Sequence, residues 1–201
     1  MDELTVSTYT QGADHFAQEW LAQPEPTDMY ALLEEFFVPG GSTADIGCGA
    51  GRDTAWLNAH GFPTLGYDAS QGLIEQARLR YPSLSFRTAA LPELEGVASR
   101  AFDNVLCETV LMHLPVQQIA RACARLMDLV RPGGVLYLSW RVTEGGSVRD
   151  VYDRLYTSFD ASVVGSSLAG QSVLWEKESV SGSSGKRVHR MIVRRVAASG
   201  D

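Results

Sequence analysis

Along this chain, short apolar runs of strand length alternate with stretches whose apolar residues recur at helical spacing. Gly41–Ile46 predicts a first strand. A glycine-rich turn follows, then a helix from about Arg52 to His60, which Gly61 ends in the usual C-terminal position. Thr64–Tyr67 predicts the second strand, and Ser70 is placed to cap a helix that runs to about Arg80 and is stopped by Pro82. Leu84–Phe86 predicts a short third strand and Phe102–Cys107 a fourth. Pro115 then opens a helix in which Ile119, Cys123, Leu126 and Val130 share one face. Arg131–Gly134 breaks it, and Val135–Ser139 predicts a fifth strand.

Strands alternating with helices imply βαβ units, right-handed crossovers and a largely parallel sheet covered on both faces. The last third departs from this pattern. Gly145 to Gly170 reads as a helical or irregular insertion containing Val151–Leu155, followed by two strand-like runs, Val173–Val180 and Lys186–Val196, joined by Ser181–Gly185. Strands joined that closely are antiparallel neighbours. The expected fold is therefore α/β, a seven-stranded and mostly parallel sheet finished by an antiparallel hairpin. Before the first strand, residues 11–37 predict two helical segments interrupted by Pro24 and Pro26. Folded over the carboxyl ends of the strands, where open α/β sheets bind ligands, that piece would act as a lid.

Length and charge narrow the setting. The 201 residues suit a single domain, divided here into a helical lid over 1–39, a central core over 40–140 and a substrate-side insertion with hairpin over 141–201. Lys and Arg number 17 against 24 Asp and Glu, a net charge of −7. Such a surface repels polyanions, which argues against general nucleic-acid or anionic-membrane binding and favours a small-molecule partner. No apolar run approaches the ~18 residues of a membrane span, and the acidic, polar N-terminus does not read as a secretory signal. Cys48, Cys107 and Cys123 lack ligand spacing, so neither a metal site nor a disulfide framework is expected. The expectation is a cytoplasmic monomer or homodimer.

The sharpest local signal is Asp45-Ile46-Gly47-Cys48-Gly49-Ala50-Gly51, between the first strand and the first helix of the core. Alternate glycines let the backbone turn tightly and approach a ligand without Cβ interference. A pyrophosphate fingerprint would need a third glycine at position 52, where Arg52 stands. Asp68, at the end of the second strand and seventeen residues past Gly51, is placed to accept hydrogen bonds from both hydroxyls of a ribose. The ligand these residues suit is a nucleoside without a diphosphate pressed on the loop; a plain tight turn and a solvated carboxylate are the alternatives.

These residues bring out a family resemblance. Asp45–Gly51, Gly66–Asp68, Phe102–Cys107, Leu111–Leu114 and Leu129–Leu136 resemble, in order and spacing, successive motifs of the class I S-adenosylmethionine-dependent methyltransferases. The resemblance covers about residues 40 to 140 and implies a Rossmann-like methyltransferase sheet with S-adenosylmethionine as cofactor. It implies that the backbone around Asp45, Gly47, Cys48, Gly49 and Gly51 holds the methionine moiety, that Asp68 with Ala69 binds the ribose, and that Ala89, Ala90 and Leu91 hold the adenine. Many relatives carry an Asp just before the Leu-Pro pair. Here that stretch is Arg87–Pro92, so adenine recognition falls to backbone groups of Ala89 to Leu91, helped by Thr88. The run Gly47–Asp53 with Leu57–Gly61 further resembles tellurite-resistance and thiopurine-type methyltransferases.

Glu108 and Thr109 follow the fourth strand, where the family faces the sulfonium or the substrate. Glu108 would stabilise cationic cofactor or act as a base; its alternative is an exposed loop charge. His113 is a second candidate base or substrate contact, or a packing residue in a Leu-rich stretch. Tyr9 and Phe16 would face the pocket or pack the lid, and Arg52 lies just past the loop, where the helix dipole does not favour a cation. Trp140 and Arg141, after the fifth strand, pair an aromatic plane with a guanidinium suited to a flat or anionic substrate, or they cap the strand. The basic run Lys186–Arg190 with Arg194 and Arg195 reads as a charged edge strand, or alternatively as a tRNA contact. Methyl transfer to a small O, N, S or C nucleophile is the function expected. The alternatives are an RNA methyltransferase and a non-catalytic cofactor-binding interaction protein.

Overall fold

Three helices precede the first strand in the computed structural model, which describes residues 1–197: α1 (Glu3–Gln11), α2 (Ala13–Ala22) and α3 (Thr27–Phe36). Apolar periodicity over 11–37 points to only two. The extra helix, α1, buries Thr5 and no large apolar residue, so its pattern is silent; Asp2 caps it by accepting from the Thr5 N–H at 2.9 Å. The core follows as β1 (Thr43–Ile46), α4 (Arg52–Ala59), β2 (Thr64–Asp68), α5 (Gln71–Arg80), β3 (Ser85–Thr88) and β4 (Phe102–Cys107). A 3-10 turn at Leu111–His113 leads into α6 (Val116–Leu129), β5 (Val130–Arg141), a short ribbon of β6 (Val148–Arg149) and β7 (Leu155–Tyr156), α7 (Ala161–Ser167), β8 (Ser172–Val180) and β9 (Arg187–Arg194).

Seven strands form one sheet in the order β3-β2-β1-β4-β5-β9-β8, parallel except for β9, which runs antiparallel to both β5 and β8. Strand order reverses between β1 and β4. Their carboxyl ends diverge there, which makes the crevice above them the natural ligand site of an open α/β sheet. Helices cover both faces. Ile119, Cys123 and Leu126 of α6 pack with Leu136 and Leu138 of β5 and with Val164 and Leu168 around α7. Met29 and Leu33 of α3 pack with Leu57, Tyr137 and Ile192 on the opposite face. Each such fully buried side chain contributes about 1.5–3 kcal/mol by leaving water.

Several expectations change. Arg131–Gly134 does not separate α6 from β5: the strand begins at Val130, paired with Phe102, and the next pair is Asn104 with Val135, so the intervening residues form a bulge. Gly133, at φ +82°, makes that bulge feasible. Within the insertion read as helical or irregular, the segment around Val151–Leu155 is the irregular part, a turn leading into β7, and α7 is the helical part. The basic strand is not an edge. β9 lies between β5 and β8, and β8 is the edge. The reason is apolar density, since Val188, Met191, Ile192 and Val193 of β9 are buried while most of β8 is exposed.

Candidate functional site

A cavity of about 420 Å³ lies above the β1/β4 switch point, roofed by α1 and α2. On its floor is the turn after β1. Gly47 (φ +81°) and Gly49 (φ +53°) adopt left-handed conformations, and a Cβ at either would meet Val110 at 2.2 Å or Trp20 at 2.9 Å. No other residue type gives both the φ and the clearance. Gly51 serves the helix instead. At φ +87° it caps α4, and its missing Cβ makes room for Phe86 and Tyr81 rather than for the cavity.

This end of the cavity is rich in acceptors. Asp68 accepts from the Gly49 N–H at 2.9 Å and the Ser70 N–H at 2.8 Å, one bond to each oxygen, so both oxygens keep a lone pair for a ligand hydroxyl. Burial raises its pKa, and the backbone bonds oppose that rise. Asp45 accepts from the Thr54 hydroxyl at 2.6 Å; burial, with the Asp53 charge second, pushes it up to about 8. Glu108 accepts from Tyr137 at 2.9 Å and from Ser139. Its pKa is raised by burial, against those bonds and the nearby Arg190 guanidinium, which is itself buried and paired with Asp28 at 2.8 Å. Thr109 stands at φ +53°, held there by its N–H bond to Ser139 Oγ at 2.9 Å.

The far end is aromatic and cationic. His113 is buried, with Nδ1 at 2.6 Å from the Leu155 carbonyl and Nε2 at 3.1 Å from the Tyr9 hydroxyl. Burial is the main cause of a pKa lowered to about 4, so the ring is neutral at pH 7. A carbonyl only accepts, so Nδ1 carries the proton, Nε2 accepts, and Tyr9 donates to it. Arg154 is paired with Asp150 at 2.6 Å, donates to the Tyr9 hydroxyl at 3.3 Å and lies over the Tyr9, Phe16, Tyr152 and Tyr156 rings. Arg141 lies over the Tyr156 ring at 4.9 Å.

Of the residues singled out from sequence, Asp45, Gly47, Cys48, Gly49, Asp68, Ala69, Ala89, Leu91, Glu108 and Thr109 line the cavity, and so do Tyr9, Arg52, His113 and Arg141. Arg52 is tied to Asp53 at 2.9 Å. Gly51, Ala90, Phe16 and Trp140 do not line it. Ala90 is exposed, and Phe16 packs edge-on against Tyr9 within the helical roof. Trp140 stacks on His189 at 4.5 Å in the core, because neighbouring residues of a strand face opposite ways and Arg141 takes the cavity side. The peptide groups of Ala89–Leu91 are partly engaged already: Ala89 N–H donates to the Asp68 backbone carbonyl, and the Leu91 carbonyl accepts from the Met1 ammonium. Thr88 is exposed and donates to Gln71.

Sequence reasoning missed Trp20, Met112, Arg154 and Tyr156, which line the cavity, and read Lys186, which also lines it, only as part of the basic run. Arg154 and Tyr156 lie in a stretch without periodicity, and no local signal marks them. The basic run is largely committed within the chain. Arg187 pairs with Glu144 and Glu178, His189 bonds Glu176 at 2.8 Å, Arg190 is buried on Asp28, and Arg195 donates to the Met127 and Val130 carbonyls. That arrangement does not present a continuous basic strip to RNA. Among the described residues no His/Cys/Asp/Glu group could hold a metal, and no helix is long and apolar enough to cross a membrane.

Comparisons with known proteins agree with this geometry. Residues 44–134 match the family model described as a methyltransferase domain. The chain is 36% identical over 132 residues to trans-aconitate 2-methyltransferase of Deinococcus radiodurans, spanning 63% of this chain and 48% of that one. It is 33% identical over 119 residues to a ubiquinone biosynthesis O-methyltransferase of Xanthomonas campestris, spanning 57% and 48%. The chain thus covers about half the length of these curated relatives. Neither belongs to the tellurite-resistance or thiopurine group. The fold is shared with 1,6-didemethyltoxoflavin-N1-methyltransferase of Burkholderia thailandensis, solved with its substrate and S-adenosylhomocysteine. That match has a TM-score of 0.74 at 20% identity and covers 96% of this chain and 88% of that one. It is also shared with the [4+2]-cyclase SpnF, with a TM-score of 0.65 at 16% identity covering 85% and 82%, so the fold alone does not fix the reaction.

Proposed function

We propose, from the match of residues 44–134 to a methyltransferase domain, that the chain is an S-adenosylmethionine-dependent methyltransferase acting on a small molecule. The observation that carries this reading is the pairing of the tight turn at Gly47 and Gly49, whose left-handed φ sets backbone on the cavity lining, with Asp68, whose two oxygens keep acceptor capacity. Those residues fit the group. S-adenosylmethionine, when bound, supplies a methyl group already activated on a sulfonium. What the chain must add is orientation of an acceptor beside it and exclusion of water, and orientation of this kind contributes on the order of 7–11 kcal/mol.

In this reading the cavity residues divide the work. Gly47 and Gly49 let the backbone approach the amino-acid portion, and Asp68 takes the ribose hydroxyls. Glu108, fixed by Tyr137 and Ser139, presents a carboxylate to positive charge. Residues 1–39 serve as the lid, with Trp20 and Tyr9 excluding water from above. Neutral His113, reached through the Tyr9 hydroxyl, is the acceptor available for the proton of a hydroxyl nucleophile. A thiolate, a neutral amine or a stabilised carbanion needs no such base.

Calorimetry with S-adenosylmethionine and S-adenosylhomocysteine tests the binding half of the proposal, and absence of binding by both would sink it. Incubation with methyl-labelled cofactor and a metabolite extract, read by mass spectrometry, tests the transfer half. Binding without label on any metabolite would turn the assignment to a non-catalytic cofactor-binding protein.

A further inference from the structure

We propose that Arg141 recognises an anionic group on the acceptor, and that the acceptor is a small acid carrying a carboxylate on a planar frame. The inference rests on the methyl-transfer reading of the same cavity and names its substrate class.

Arg141 ends β5 on the cavity side, half-buried, and makes no ion pair among the described residues. Its surroundings explain why. A smaller cleft beside it is lined by Glu144 and Asp150, but Glu144 is held by Arg187 and Asp150 by Arg154. Of the acids lining the main cavity, Glu19 lies 4.0 Å from His15 on α2, Asp45 is bound to Thr54, Asp53 to Arg52, Asp68 to backbone N–H groups, and Glu108 to Tyr137 and Ser139. Arg52 and Arg154, the other arginines lining this cavity, both have a carboxylate; Arg141 does not. Lys186, exposed on the rim, likewise lacks an ion pair among the described residues.

The stacking adds direction. The Arg141 guanidinium carbon lies 4.9 Å from the centre of the Tyr156 ring, with the neutral Tyr156 hydroxyl as a polar neighbour. A guanidinium carries five N–H donors in a fork that a carboxylate fits, more than one neutral hydroxyl can occupy. A partly desolvated guanidinium without an internal counter-ion gains more from such a ligand than an exposed one does. Tyr9, His113, Tyr156 and Trp20 line the same chamber, which suits a flat molecule. The cavity is near the lower end of the roughly 300–1,000 Å³ typical of small-molecule sites, and a nucleoside cofactor takes part of it, so the acid must be small.

The experiment is calorimetry on the chain saturated with S-adenosylhomocysteine, using 4-hydroxybenzoate and trans-aconitate against their neutral counterparts, 4-hydroxybenzamide and trimethyl aconitate. At least one acid should bind about thirtyfold or more tightly than its neutral counterpart, the size expected for a buried charge pair. Arg141→Gln should abolish that preference, Arg141→Lys should restore part of it, and both should keep the wild-type affinity for S-adenosylhomocysteine, which also reports that the variants fold. Equal binding of acid and neutral probe, no binding of either acid, or a preference that survives Arg141→Gln overturns the proposal. Failure of the wild-type chain to bind S-adenosylhomocysteine strikes the methyltransferase reading instead.

Discussion

The two ends of the cavity are built by opposite means. The glycine-loop end draws Asp45, Gly47, Gly49 and Asp68 from one βαβ stretch and presents acceptors fixed by backbone and short side-chain bonds. The far end gathers Tyr9, His113, Arg141, Arg154 and Tyr156 from widely separated places in the chain and presents donors and rings. In the proposed reading the cofactor is held by strand ends that are fixed by the sheet, and the acceptor is met by elements outside the seven-stranded sheet, such as the β6–β7 ribbon. SpnF shares the fold under a different reaction name, as expected if the fold holds the constant part.

The contrast can be broken most severely at Gly47. A valine there would combine a left-handed φ of +81° with a Cβ 2.2 Å from Val110. Calorimetry should show loss of S-adenosylhomocysteine binding by about a hundredfold or more, since several kcal/mol of strain and overpacking fall on the cradle. Wild-type affinity in Gly47→Val would disconnect the loop from the site. Asp68→Ala comes next. It removes a charged acceptor, and affinity should drop about tenfold to a hundredfold, consistent with ~1.5–3 kcal/mol for hydrogen bonds to charged groups; tight binding by the variant would count against the ribose assignment.

At the far end the expected effects separate turnover from cofactor affinity. Tyr9→Phe deletes the hydroxyl that bonds His113 and should lower turnover on a hydroxyl acceptor by about tenfold to a hundredfold, within the lower range of general acid–base effects. S-adenosylhomocysteine affinity should change little. If cofactor affinity fell and turnover held, the division between the two ends would be wrong.

A separate effect, read on stability rather than on binding or turnover, is one of pH. Asp45 is pushed up to about 8 in the folded chain, against about 3.9 when unfolded. Between those values the folded state holds the proton and the unfolded state does not, so stability falls as pH rises through this window and levels off above it. Asp45→Asn, able to keep a bond to Thr54, should remove that contribution. Melting temperatures of the two proteins should be close near pH 4, with the variant gaining progressively toward pH 8, by about 1.4 kcal/mol of stability per pH unit. Parallel curves would show that Asp45 does not carry the raised pKa.

Legibility in the sequence follows the same division. The glycine loop and the acids after β2 and β4 could be placed because each is fixed relative to a strand end by a few residues of backbone. Phe16 could not, since a helix preceding the first strand has no register with the sheet until it packs; it turned into the roof while Tyr9 faced the cavity. Trp140 and Arg141 show the limit on a smaller scale. Strand alternation requires that they face opposite ways, but which of them met the cavity depended on the packing of His189 beside β5. Arg190 misled for a similar reason, as a charge on a terminal strand reads as exposed unless Asp28 is known to lie over it.

Local chemistry was therefore sufficient for the alternation of strands and helices, the tight glycine turn and the acid that follows it, because these depend on backbone conformation and on residues close in the chain. Three-dimensional packing decided that β9 is interior, that His113 is neutral and joined to Tyr9, and that Arg141 is left without a carboxylate among the described residues. Those properties arise from burial and from partners far apart in sequence, down to the Leu155 carbonyl that fixes the proton on His113.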